Sequence, residues 1–225
     1  ITSSRPVSLD SSVLLDKFSK SCDIVDYNKI AFAPKTAKTH RVIAVEPLIN
    51  TFLQKGLDQL MRHRLRRIGI DLTNQARNSE FARQGSLRDD DDSFVTIDLS
   101  SASDSVSREL CRCLLPPDWF QKMDSVRSKH FLYKGKKTPY EKFCSMGNGF
   151  CFPLETLLFT AACAACGGGR PGTDFLVYGD DIIVRKNISQ KLVALLELMG
   201  FSVNLEKTFL SGPFRESCGR DWFLG

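Results

Sequence analysis

The sequence predicts an α+β fold, an antiparallel sheet with helices on one face. Three observations lead there. From residue 94 to residue 207 the hydrophobic period switches repeatedly, giving the order strand, helix, polar excursion, helix, hairpin, helix, strand. Two short apolar runs, Phe175-Leu176-Val177 and Ile182-Ile183-Val184, flank Gly179-Asp180 at hairpin spacing, so their strands must run antiparallel. Composition is that of a globular chain, with 42% hydrophobic and 25% charged residues over 225, long enough to bury a sizeable core.

Residues 1–46 show little regular periodicity, with turn and extended signals around Pro34 and a short strand at residues 41–45. From Pro47 the apolar positions Leu48, Phe52, Leu53, Leu57, Leu60, Met61, Leu65 and Ile68 follow helical spacing, with Pro at the first turn and Gly69 at the end. Residues 71–93 are polar and read as an irregular connection, with the consecutive acids Asp89, Asp90, Asp91 and Asp92 exposed. Residues 93–99 alternate Phe94, Thr96 and Asp98 against Val95, Ile97 and Leu99, a strand that ends in a carboxylate. Val106, Leu110, Cys113 and Leu114 mark a helix stopped by Pro116-Pro117, and a basic excursion fills residues 118–144. Residues 153–166 read as a buried, Ala-rich helix that runs into three glycines. After the hairpin comes a helix over residues 190–199 with Leu192, Leu195, Leu196 and Met199 on its apolar face and Gly200 as its stop. Phe201, Val203 and Leu205 then alternate with Ser202 and Asn204 in a strand running to Lys207, and no internal repeat is visible.

Several function classes drop out on composition. Eight cysteines scattered through 225 residues, often inside apolar segments, fit reduced thiols rather than a disulfide framework. Cys163-x-x-Cys166 has no second pair and no clustered histidines beside it, which argues against zinc. The longest apolar stretch, near Leu154, is interrupted by Glu155, Thr156 and Thr160 and is too short to span a bilayer, and no signal peptide is visible. Starting at Ile1 without Met and stopping at Gly225, the sequence reads as a piece of a longer polypeptide.

Charge is informative in its layout. Net charge is only +5, from 31 basic and 26 acidic residues, yet the basic ones gather. Lys29, Lys35, Lys38 and Arg41 lie in one stretch without acids; Arg62, Arg64, Arg66 and Arg67 form a second; residues 122–142 hold a third. Acids collect elsewhere, at Asp89 to Asp92, Asp98, Asp104, Asp174, Asp180 and Asp181. The separation points to basic walls around an acidic centre, where polyanions and divalent cations meet.

Asp180 and Asp181 are adjacent at a tight turn whose flanking strands are too apolar to be exposed. Two carboxylates held there repel and lose hydration, a cost that a bound cation relieves. If the strand before Asp98 neighbours the hairpin, three carboxylates reach one place and form a hard-oxygen site suited to Mg²⁺. Two such ions can activate a 3′-hydroxyl and stabilise a leaving pyrophosphate.

These residues also carry a family resemblance. Tyr178-Gly179-Asp180-Asp181 resembles motif C of viral RNA-dependent RNA polymerases, and Thr96-Ile97-Asp98-Leu99-Ser100-Ser101-Ala102-Ser103-Asp104 resembles motif A. Ser145-Met146-Gly147-Asn148-Gly149-Phe150 resembles motif B, and Glu206-Lys207-Thr208 motif D. Together with Phe214-Arg215-Glu216-Ser217-Cys218-Gly219 they are similar to the replicase catalytic subunit of the leviviruses, the positive-strand RNA bacteriophages, over nearly the whole chain and in the right order.

The resemblance implies a right-hand polymerase fold. Fingers elements would occupy residues 1–93 and 118–144, palm 94–117 and 145–210, and the start of motif E at the thumb junction 211–225, with the thumb itself missing. It implies Asp98 and Asp180 as principal ligands of two Mg²⁺ ions, Asp181 as a nearby or bridging ligand, and Lys207 as the general acid for pyrophosphate. Lys35, Lys38 and Arg41 would grip the incoming triphosphate, and alternation along an extended run would turn Lys38 to the opposite face from the other two. Ser145, Gly147 and Asn148 would contact nucleotide sugar and template. Asp104 would sense the ribose 2′-hydroxyl, but many such polymerases place that acid five residues after the first Asp, where Ser103 stands here, and the choice between them stays open. The implied partners are RNA template and product strand, ribonucleoside triphosphates, host elongation factors Tu and Ts and a ribosomal protein, in the cytoplasm of the bacterial host and without a membrane. Two rivals remain: a reverse transcriptase, disfavoured by Gly179, and a catalytically silent RNA-binding scaffold.

Overall fold

The computed structural model describes residue 23 and residues 25–225; the first part of the 1–93 segment, with Cys22, lies outside the described residues. In chain order, β1 (Tyr27–Pro34) and β2 (His40–Val45) form a hairpin, followed by α1 (Leu48–Arg67) and α2 (Ala76–Ser86). Next come β3 (Phe94–Ile97), β4 (Leu99–Ser100), α3 (Ala102–Ser105), α4 (Arg108–Leu114) and α5 (Pro117–Val126). A second hairpin, β5 (His130–Tyr133) and β6 (Lys136–Pro139), precedes α6 (Cys151–Ala165). The chain ends with hairpin β7 (Leu176–Tyr178) and β8 (Asp181–Arg185), α7 (Lys186–Leu198), β9 (Ser202–Val203), and hairpin β10 (Phe214–Ser217) and β11 (Arg220–Phe223).

Two sheets organise the molecule. The first, in order β3-β8-β7, is antiparallel throughout. Its alternation divides the core as expected: Val95, Ile97, Val177, Ile182 and Val184 join a cluster with α6 and α7 residues such as Phe159 and Leu192. Phe94, Leu176 and Ile183 face the other way, into a cluster with Leu65, Ile70 and Ala82. Helix α6 is apolar on all sides and is correspondingly buried, with Leu154, Phe159 and Cys163 fully enclosed. The second sheet, in order β2-β1-β5-β6, is antiparallel except where β1 meets β5.

Three sequence expectations are corrected. Residues 71–93 are not an irregular connection, because they contain α2, whose buried face is made of Asn78, Ser79, Ala82, Gly85 and Ser86. Small residues at helical spacing pack closely but leave no apolar period to read. Helix α2 covers the sheet face opposite α6 and α7, with the Phe81 ring 4.5 Å from that of Phe94. The basic excursion at 118–144 is likewise structured: Pro117 opens α5 at its first turn, and Lys134 and Gly135, with φ of 49° and 77°, turn the β5–β6 hairpin. Finally, α1 spans the expected residues but buries Gln54, Asp58, Met61 and Leu65, leaving Leu48 and Phe52 82% and 75% exposed. The face turned inward is chosen by polar partners as well as by hydrophobicity.

Residues 211–225 add the β10–β11 hairpin. Arg215, fully buried, ties it to the first sheet by donating to the Phe94 carbonyl at 2.7 Å. No helix among the described residues is long and apolar enough to cross a membrane.

Candidate active site

The strand register builds the site. Ile97 pairs with Ile182 across β3 and β8, so one step further along the ladder Asp98 lies opposite Asp181. Tyr178 pairs with Asp181 across β7 and β8, leaving Gly179 and Asp180 as the two-residue turn. Gly179 has φ of 64° and Asp180 a negative φ, the pattern of a type II′ turn, and a Cβ on Gly179 would run into the Phe152 ring. All three carboxylates therefore occupy the same end of the sheet, as the sequence anticipated.

Asp98 and Asp181 are restrained differently. Asp98 Oδ2 accepts the Asn204 side-chain amide at 2.8 Å, the Asp98 carbonyl accepts the Asn204 N–H at 2.9 Å, and the Asp98 N–H donates to Thr208 Oγ1 at 3.1 Å. These bonds explain why the expected strand at 201–207 is paired only at Ser202–Val203: Asn204 turns inward to hold Asp98. Asp181 Oδ1 accepts the Cys218 N–H at 3.0 Å and the Ser217 hydroxyl at 3.3 Å, so the β10–β11 hairpin fixes it from the other side. Burial pushes the Asp98 carboxyl above its ordinary range, with the Asn204 bond opposing and the Asp180 charge adding. Burial does the same at Asp181, opposed by the Cys218 N–H and reinforced by Asp180 and Asp98. The three carboxylates are thus close enough to repel one another. They are not drawn together into a closed cluster: among the described residues no three His, Cys, Asp or Glu side chains form a metal-holding group.

A fourth carboxyl stands behind them. Glu155, on α6, is 5% exposed, and burial followed by repulsion from Asp180 pushes its pKa up to about 8. The only sign of it in the sequence is a single acid within an otherwise apolar helix.

The remaining anticipated residues fall in four places. Lys207 Nζ bonds Glu216 Oε1 at 2.8 Å, and this bond, with help from Asp98 and Asp181, holds its pKa above the usual lysine range. Ser145, Gly147 and Asn148 form the loop before α6, packed against the second sheet: the Ala44 N–H donates to the Met146 carbonyl at 2.8 Å. Gly147, with φ of 107°, touches Ala44 so closely that a Cβ would strike the Ala44 carbonyl oxygen. Asn148 Oδ1 accepts the Phe150 N–H at 3.0 Å, so half of its amide is committed to starting α6. Gln54, fully buried on α1, clamps the same loop, accepting the Gly149 N–H at 2.9 Å and donating to the Val126 carbonyl at 2.8 Å. Asp104, exposed on α3, is ion-paired with Lys142, while Ser103 is half-buried.

Lys35 and Lys38 are not on an extended run, and the expected alternation with Arg41 does not apply. Pro34 ends β1, and Thr36 Oγ1 accepts the N–H groups of Lys38 and Thr39, folding residues 35–39 into a turn with both lysines exposed at its tip. Arg41 follows on β2, opposite Ala33. The other basic stretches are largely paired rather than forming free walls. Lys122, Arg127, Lys129, Lys137 and Lys142 each reach an acid among Asp118, Asp124, Asp26 and Asp104. In the arginine cluster, Arg62 pairs with Asp58, Arg66 with Asp71, and Arg64 lies over the Trp119 ring. Apart from Asp124, these acids lie outside the counted stretches, so linear charge counts overstate the local field.

The family model described as RNA replicase, beta-chain, matches residues 13–225, which takes in every residue of this site. The chain belongs to that family. Among curated members of the RNA replicase beta-chain family, it is 43% identical over 223 residues to the RNA-directed RNA polymerase subunit beta of Enterobacteria phage SP, covering 94% of this chain and 38% of that one. It is 44% identical over 206 residues to the corresponding subunit of Escherichia virus Qbeta, covering 90% and 34%. The chain spans about a third of the length of these relatives. The replicase fold is also recognisable in a solved structure, the BmCPV RNA-dependent RNA polymerase at elongation state, with TM-score 0.61 at 13% identity over 93% of this chain and 22% of that one. The α+β polymerase fold that the sequence implied is therefore present in this chain. Sequence reasoning missed Asn204, Thr208, Gln54 and the backbone N–H of Cys218, since each acts by holding another group rather than by its own chemistry.

Proposed function

We propose that this chain carries the catalytic centre of an RNA-directed RNA polymerase that copies a positive-strand phage genome by transferring a nucleotidyl group from a ribonucleoside triphosphate to an RNA 3′-hydroxyl. One observation carries the reading: the β3–β8 register sets Asp98 opposite Asp181 beside the Asp180 turn. The donor set suits Mg²⁺, being three hard-oxygen carboxylates at the end of apolar strands, where burial first and mutual repulsion second already lift Asp98 and Asp181. Asp98, Asp180 and Asp181 would hold two ions, which supply activation of the 3′-hydroxyl and charge neutralisation at the leaving pyrophosphate. Lys207, kept protonated by Glu216, has a proton to give to pyrophosphate. The 145–150 loop, fixed to α1 and β2, would orient nucleotide and template, and Lys35, Lys38 and Arg41 would meet the triphosphate from an exposed hairpin. Residues 94–117 and 145–210 serve as palm in this reading, residues 1–93 and 118–144 as fingers, and 211–225 as the start of motif E. The host elongation factors Tu and Ts, the ribosomal protein and the cytoplasm of a bacterial host belong to the same proposal, and a beta chain is by name one subunit among several.

Primer extension on an RNA template with Mg²⁺ tests it. Asp180→Asn is expected to reduce incorporation about 10³-fold, the scale of losing a principal electrostatic element of a catalytic site. Undiminished synthesis removes the two-metal reading. A second reading, RNA binding without catalysis, is favoured by the exposed Lys35 and Lys38 at the β1–β2 tip, which need no metal to meet phosphate. Salt-dependent RNA binding indifferent to Mg²⁺, with no incorporation, would select it.

A further inference from the structure

We propose that Thr156 is a positioning residue for Asp180, holding the carboxylate turn to α6 through the Gly179 N–H. This inference rests on the reading of the turn as a metal-binding site and adds to it a residue that touches neither metal nor substrate. In a two-residue hairpin turn the first turn residue has no partner across the ladder, and its N–H needs an acceptor elsewhere. Gly179 finds Thr156 Oγ1 at 3.0 Å. Thr156 is fully buried, and its hydroxyl hydrogen is already given to the Phe152 carbonyl at 3.0 Å, one helical turn back. The hydroxyl is thereby oriented, with a lone pair left for Gly179 and no proton to offer it.

Phe152 grips the same turn from an adjacent direction. Its ring meets the Tyr178 ring edge-on at 4.9 Å and fills the space a Gly179 side chain would need. Phe152 and Thr156 are four apart, on one face of α6, so two consecutive helical turns hold the turn on two sides. The hydrogen bond is the directional member of the pair. The ring restricts where Gly179 can go, while the hydroxyl fixes how its peptide plane is rotated, and that plane leads directly to Asp180. Helix α6 begins at the end of the 145–150 loop, so this contact also joins the carboxylate turn rigidly to the loop held by Gln54.

Valine has the shape of threonine without the acceptor. Thr156→Val leaves a buried N–H unpaired, whose desolvation drives the turn to rotate toward another acceptor. Thr156→Ser keeps the oxygen. The test measures Mn²⁺ binding to the chain by electron paramagnetic resonance, with Asp180→Asn as the reference for loss at this turn, alongside Gly179 amide hydrogen exchange. Wild type is expected to bind Mn²⁺ in an Asp180-dependent way with a protected Gly179 amide. Thr156→Val should bind roughly tenfold more weakly, with a fast-exchanging Gly179 amide and unchanged protection along α6. Thr156→Ser should restore both to within about twofold. Wild-type Mn²⁺ affinity in Thr156→Val overturns the positioning role while leaving the metal reading intact. Wild type that binds no Mn²⁺ dependent on Asp180 overturns the metal reading, and this inference with it.

Discussion

The carboxylate end of the β3-β8-β7 sheet and the basic tip of the β1–β2 hairpin both concentrate charge, and they do it by opposite constructions. At the sheet end two of the three acids are tied by partners from distant segments: Asn204 and Thr208 on Asp98, Ser217 and the Cys218 N–H on Asp181. At the hairpin tip the lysines are exposed, and the order comes from the chain itself, through Thr36 and Thr39. Like charges held close in a half-buried place must be fixed from outside, because they repel and have lost water. Charges spread into solvent need only a turn. Substitutions near the sheet end should therefore act through structure and protonation, while those at the tip should act through long-range attraction alone.

The largest structural effect is expected at Gln54, which serves the buried side of this contrast. Gln54→Ala strands the Gly149 N–H and the Val126 carbonyl, each costing ~1–3 kcal/mol if left unpaired, so the fold should lose about 3 kcal/mol in urea denaturation. A loss below about 0.5 kcal/mol, the level of an ordinary surface substitution, would mean that water replaces the side chain and that the loop is not clamped.

The same contrast explains what the sequence could and could not tell. Asp98, Asp180 and Asp181 were legible because strand alternation and hairpin spacing are local signals, and antiparallel pairing converts them into a common address. The β10–β11 hairpin, which holds Asp181 through Cys218, could not be connected to the site, since no local pattern says which distant N–H reaches a given oxygen. Helix α2 was hidden because it packs with Asn78, Ser79, Ala82 and Gly85 rather than with large apolar residues. The charge map misled for a related reason: Lys137 and Lys142 are neutralised by Asp26 and Asp104, acids far away in sequence. Chemistry borne by one side chain was readable, and support supplied by another segment was not.

Glu155 gives the next effect and tests whether the repulsive field at the sheet end reaches into the core. A carboxyl whose folded pKa is raised from 4.5 to about 8 binds a proton in the folded state that the unfolded state has released. Stability from this group is complete below pH 4.5 and is lost as pH rises toward about 8. Glutamine keeps the shape and never ionises. Glu155→Gln should match wild type near pH 4 and exceed it by at least about 2 kcal/mol near pH 9, measured as the pH dependence of urea midpoints. Parallel curves would show that Glu155 ionises freely and that Asp180 does not influence it.

The smallest effect belongs to the hairpin tip. Lys38 is exposed, and Thr36 holds its backbone N–H rather than its ammonium, so the side chain can be removed without disturbing the turn. Lys38→Ala should leave thermal stability unchanged. If the tip meets polyphosphate or RNA, a lost phosphate contact weakens binding only about two- to threefold at moderate salt and lowers the slope of log K against log salt by about one. A slope that stays the same would place the phosphate contacts elsewhere. A change in melting temperature would contradict the comparison itself, because it would give an exposed, solvated lysine the structural role that here belongs to groups buried at the sheet end.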